Sequence, residues 1–88
     1  MNKKWRETIL KVMDNLTNTE HITCPRCGKH TIDYLYVIDE KTRAGYLMVW
    51  CASCKKGTHI SRVELPEGAK YITFEDAEKV ELPTFELE

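Results

Sequence analysis

Between Asn2 and Leu16 the apolar side chains fall at Trp5, Ile9, Val12, Met13 and Leu16, spacings that line them along one side of a helix. Lys3, Lys4, Arg6, Glu7, Lys11 and Asp14 fall mostly on the other side. Asn2 is an acceptable N-cap, and Asn15, Thr17, Asn18 and Thr19 favour local side-chain hydrogen bonds over further helix. The pattern predicts an amphipathic helix within residues 1–17, its apolar stripe facing a core rather than a docking seam.

The period then changes. Thr31 to Ile38, Tyr46 to Trp50 and Thr58 to Leu65 are rich in β-branched and aromatic residues, as strands are. Polar Asp39 to Arg43 separates the first two runs, and Cys51 to Gly57 the second and third. Pro66 and Gly68 close the third, and Tyr71 to Phe74 reads as one more short strand. Thr73, with Asp76 three positions on, resembles the start of a short helix that runs to Val80 and stops before Pro83. Leu87-Glu88 reads as a cloning scar and is set aside.

Sorting alternate strand residues onto alternate faces makes both faces of the sheet apolar. One set is Leu35, Val37, Leu47, Val49 and Val63; the other is Ile32, Tyr34, Tyr36, Ile38, Tyr46, Met48, Trp50 and Ile60. The helix can cover one face. The C-terminal segment, with Tyr71, Ile72, Phe74, Val80, Leu82 and Phe85, is expected to cover the other, with a partner as the alternative.

Length and charge sharpen this picture. A chain of 88 residues with 42% apolar content holds one small domain, and its core alone is marginal, so a metal, a disulfide or a partner is expected to help. The net charge of −1 hides an asymmetry: residues 1–63 hold 11 Lys or Arg against 6 Asp or Glu, and residues 64–88 hold 2 against 8. An acidic end with Glu75, Asp76, Glu78, Glu81 and Glu86 can lie over a basic body. No signal-peptide core and no run of about 20 apolar residues is present, so the expectation is a soluble, cytoplasmic chain with no membrane partner.

The chemistry is concentrated in Cys24, Cys27, Cys51 and Cys54, two CxxC pairs 23 residues apart and flanked by strand signals. The spacing is a strong zinc signal, because a two-residue spacer lets one tight turn present two sulfurs to an ion that prefers four thiolates in a tetrahedron. Gly28 and Gly57, just past each pair, suit turns that need positive φ or close approach. Arg26, Lys29, Lys55 and Lys56 favour deprotonated ligands. Iron in a rubredoxin-like site, disulfides in a secreted protein and a redox-active thiol pair are the alternatives.

Cys24-Pro25-Arg26-Cys27-Gly28, a strand, a hairpin, a second strand and Cys51-Ala52-Ser53-Cys54-Lys55-Lys56-Gly57 resemble the zinc-ribbon superfamily over about residues 21–65. The resemblance implies one structural zinc on the four cysteines at the end of a three-stranded antiparallel sheet. The fold class expected is thus small α+β: a zinc ribbon in 21–65, an N-terminal amphipathic helix in 1–17 and an acidic covering segment in 66–88. Lys55 stands in the second knuckle where the first has Gly28, so the two turns are expected to differ.

A closed site of four thiolates has no position for water or substrate. GxSxG, HExxH and phosphate-cradling glycine motifs are also missing, and Asp33, Asp39 and Glu40 read as solvated turn residues, so the expectation is not an enzyme. His21, His30 and His59 are left without a ligand role. The function expected is binding, with a protein partner ahead of nucleic acid and the chain a monomer or weak homodimer. The candidate surface is Tyr34, Tyr36, Tyr46 and Trp50 beside Lys41, Arg43, Lys55, Lys56 and Arg62, which in the alternative stack bases and neutralise phosphates of a single strand.

Overall fold

The computed structural model describes residues 3–88 of the chain. The elements in order are α1 (Lys3–Asp14), β1 (Ile32–Ile38), β2 (Ala44–Cys51), β3 (Lys56–Glu64), β4 (Tyr71–Thr73), α2 (Phe74–Lys79) and β5 (Glu86–Leu87). Asn2, the expected cap of α1, lies outside the described residues. Thr73 caps α2 as its position suggests, its hydroxyl accepting from the Asp76 amide at 3.2 Å.

The architecture is small α+β, but the sheet is five-stranded and mixed rather than three-stranded and antiparallel. β1, β2 and β3 form an antiparallel centre. β4 adds in parallel along Tyr36–Ile38 of β1, and β5 in parallel along Lys56–Gly57 of β3. β4 is the short strand expected over Tyr71 to Phe74, whereas β5, two residues long, is too short for a two-residue period to announce it. Leu87, set aside on sequence grounds, is half of β5.

Register corrects the expected faces. Tyr36 pairs with Leu47 and Tyr34 with Val49, so even-numbered residues of β1 share a face with odd-numbered residues of β2. Parity is set by the hairpin: Asp39 accepts the Lys41 and Thr42 amides on its carboxylate, and Arg43 at φ 60 closes the turn. In β3 the pairing passes from Tyr46↔Ser61 to Gly45↔Val63, leaving Arg62 as the extra residue of a bulge at φ 59. The bulge turns both Ile60 and Val63 toward the main core.

That core lies between α1 and one face of the sheet: Trp5, Ile9, Val12 and Ile22 gather against Tyr34, Tyr36, Leu47 and Val49. The Tyr34 hydroxyl is tied into the frame, donating to the Leu16 carbonyl at 2.7 Å and accepting from the Lys70 amide at 3.0 Å. Tyr46 and Trp50 belong to the opposite face, where Phe74 stacks on Tyr46 and Phe85 on Trp50. The C-terminal segment therefore supplies the second cover only in part, with Tyr71, Phe74 and Val80 still more than a third exposed.

Candidate metal centre

The four cysteines converge at the end of the sheet where β1 begins and β2 ends. Their sulfurs all lie within 4.8 Å of one another, with Cys24 Sγ 3.7 Å from Cys54 Sγ and Cys27 Sγ 3.6 Å from Cys51 Sγ. Disulfide sulfurs stand about 2.05 Å apart, so these four cysteines are free. A metal with thiolates at about 2.3 Å in a tetrahedron separates them by about 3.8 Å, close to the two short edges seen here. The four sulfurs are close enough together to hold one metal ion.

Each knuckle is made locally. The Gly28 amide donates to the Cys24 carbonyl at 3.0 Å, and the Lys55 amide to the Cys51 carbonyl at 3.0 Å. Gly28 has φ 76 and Lys55 φ 59, so the two turns share the left-handed conformation although only the first carries glycine. The expectation that the turns differ is corrected: the closing hydrogen bond is strong enough to hold a lysine where glycine is easier. Gly57 acts differently, as a residue of β3 whose Cβ would lie 2.5 Å from the Val49 carbonyl oxygen and 2.8 Å from the Phe85 ring.

Amides point at the sulfurs of both pairs. Arg26 N–H donates to Cys24 Sγ at 3.3 Å and Cys27 N–H at 3.5 Å. Burial works against ionisation of Cys51, but the Thr31 hydroxyl and the Cys54 and Ser53 amides outweigh it and hold the thiol at about 6. Cys54 moves the other way, burial and the neighbouring thiols pushing it up to about 12, and burial also raises Cys24. Without a cation the cluster favours one thiolate among thiols, because four close negative charges repel. A bound dication removes that repulsion and makes all four available as ligands.

Thr31 is a contributor that spacing did not reveal: its hydroxyl lies 3.1 Å from Cys51 Sγ, to which it donates when that sulfur is ionised, and 3.0 Å from Ser53 Oγ, from which it can then accept. It precedes a strand and follows no ligand pattern, so no sequence signal marks it. His21, His30 and His59 are exposed and outside the cluster. Asp33 faces Lys70 at 2.5 Å, and Asp39 is occupied in the hairpin turn.

The candidate aromatic and basic surface is dispersed. Tyr34 and Tyr36 are buried beneath α1, at 1% and 0% exposure, while Tyr46 and Trp50 lie half-buried on the opposite face. The reason is the hairpin parity given above. Lys55 and Lys56 adjoin the cysteines, whereas Lys41 and Arg43 sit at the hairpin end of the sheet, about 20 Å away by strand rise, with Arg62 in the bulge. The Arg43 guanidinium lies 5.2 Å over the Tyr71 ring.

The matched knuckles yield a direct test. Lys55→Gly is expected to stabilise the metal-loaded protein by about 1 kcal/mol through relief of a left-handed lysine, and Gly28→Ala to destabilise it by a similar amount. Gly28 has no atom within 4 Å of an added Cβ, so its cost is conformational alone. Urea midpoints that move oppositely for the two variants support the shared geometry; equal midpoints contradict it.

Comparison with known proteins returned no match to a protein-family profile, to a curated protein or to a solved structure. Among the described residues no helix is long and apolar enough to cross a membrane.

Proposed function

We propose that this chain is a non-catalytic binding module of the zinc-ribbon kind, folded around one structural zinc on Cys24, Cys27, Cys51 and Cys54, and that its partner is a protein. The convergence of four free sulfurs within 4.8 Å of one another carries the reading. Four thiolates complete the coordination of zinc, which leaves no position at which the metal activates water or polarises a substrate. Its work is then to hold two knuckles together. Zinc is favoured over iron because a closed, redox-silent ion suits a structural role and four thiolates accept either.

A protein partner is favoured over a single-stranded nucleic acid by the placement of the rings. Stacking recognition needs aromatic faces open to solvent beside a continuous basic track. Here two of the four rings are core, and the other two already carry Phe74 and Phe85. Native mass spectrometry of protein purified without added metal is expected to show the chain plus one zinc. Titration of that sample into labelled single-stranded RNA and DNA is expected to show no salt-sensitive binding. A stoichiometric iron signal, or micromolar binding that weakens with salt and with Trp50→Ala, overturns the respective half of the reading.

A further inference from the structure

Beside the metal centre, the face of the sheet away from α1 carries a slot. Trp50 is its wall, Gly57 its floor, and the Phe85 ring lies in it, within 8° of parallel to the indole at a centroid distance of 6.0 Å. Any side chain at position 57 collides with that ring, so the slot exists because the position is bare. The occupant's backbone joins the sheet, the Glu86 amide donating to the Lys55 carbonyl at 2.9 Å. Its carboxylate pairs with Lys56. One aromatic pocket, one charge and edge-strand hydrogen bonds are the elements by which sheets recognise extended peptides.

The resident segment uses only the start of what the edge offers, its further contacts being the Glu88 amide to the Gly57 carbonyl at 2.9 Å and the Glu88 carboxylate to Arg26 at 3.1 Å. β5 pairs with only two of the nine residues of β3, and Leu87 is 62% exposed. The residues joining α2 to β5 form no regular structure, and α2 buries none of its residues. Further along β3 on the same face lies a cavity of about 270 Å³ lined by Tyr46, Met48, His59, Ser61 and Phe85. In the parallel register of β5, the residue opposite His59 falls four positions after the aromatic one, and the two-residue period turns its side chain to that face. Lys55 is exposed at the mouth and makes no ion pair among the described residues.

We propose that this slot is a peptide-docking site, that Phe85-Glu86 occupies it as a tethered surrogate, and that the true occupant is an extended acidic peptide of another protein. That peptide carries an aromatic residue followed directly by an acidic one, and an apolar residue four positions after the aromatic. The slot deepens the proposed protein-binding role and rests on it. Even with Leu87 and Glu88 set aside, the ring stack, the Lys56 pair and the Lys55 hydrogen bond remain. The resident segment competes at the millimolar effective concentration typical of a short tether, so a partner displaces it through the added contacts along β3.

The test uses the full chain, metal-loaded, and a fluorescein-labelled peptide copying residues 81–88 and extended by one leucine, which supplies the apolar residue four positions after the aromatic. The F85A/E86A variant is expected to bind the peptide at least about tenfold more tightly than the unmodified chain, whose own segment competes. Adding Lys56→Glu should abolish binding, and a peptide with lysine in place of Glu86 should restore it. No binding by a variant of native circular dichroism, or equal binding by both chains, overturns the proposal. Should the variant misfold, the Trp50 indole resonance of the unmodified chain is followed as unlabelled peptide is added to millimolar excess; a saturable shift supports the slot and an unmoved resonance overturns it. A dimer of the unmodified chain that Phe85→Ala dissolves makes a second copy the occupant and overturns a separate partner. Metal content measured on the same samples separates the two readings: peptide binding by a metal-free, folded chain sinks the structural-zinc role and leaves the slot standing.

Discussion

A zinc-loaded sample treated with excess strong chelator is expected to lose its strand circular dichroism and to regain it when zinc is restored. The two knuckles lie on either side of the β1–β2 hairpin, with 23 residues between Cys27 and Cys51, and Cys24 and Cys51 are both part of the hydrophobic core. Removing the ion therefore releases core residues as well as a clamp. Structural zinc sites in small domains contribute apparent energies of about 10–16 kcal/mol. A domain of this length has a total stability of roughly 4–13 kcal/mol at typical values per residue, so the loss is as large as the whole net stability expected of the fold. Cys24→Ser, which removes a buried thiol of the cluster, should reproduce the effect in part by weakening the site. Lowering the pH should also reproduce it, since protons compete with the metal for thiolates and affinity falls as pH falls. A metal-free chain that keeps its native spectrum contradicts a folding role for the site.

The next largest effect is expected from Trp5→Ala. Trp5 is 1% exposed and packs within the cluster that joins α1 to the sheet. Its indole N–H has no hydrogen-bond partner among the described residues, so truncation sacrifices chiefly packing. Replacing a buried tryptophan by alanine costs about 3–5 kcal/mol, roughly a quarter or more of the stability available to a chain this small. Urea unfolding of the metal-loaded variant should show a lower midpoint with an unchanged slope. Leu10→Ala on the outer side of the same helix, where the leucine is 57% exposed, should change stability by under about 0.5 kcal/mol. Equal midpoints for the two variants would mean that α1 does not seal the core.

The cysteine centre was legible because its signal is local: two residues between ligands define a turn, and four such ligands define a coordination number. The turn at Lys55 was not legible in the same way. Lysine argues against a left-handed residue, yet the structure holds it there in a knuckle closed by the bond from its own amide to the Cys51 carbonyl. The aromatic surface was misjudged for another reason. Tyr34, Tyr36, Tyr46 and Trp50 all stand at even positions, and the hairpin separates them onto two faces because it pairs even with odd.

From its sequence alone the chain's helix, its three long strands and its four-cysteine cluster can be read, since each depends on periodicity or spacing within a few residues. Tertiary structure alone decided which strand faces meet, where Arg62 bulges, and that two short parallel strands extend the sheet at its edges. It also decided that Phe85 seats against Trp50 over a bare Gly57. Those features join residues some 15 to 35 positions apart, and their free energy comes from register and packing between elements, which no local pattern of hydrophobic and polar residues encodes.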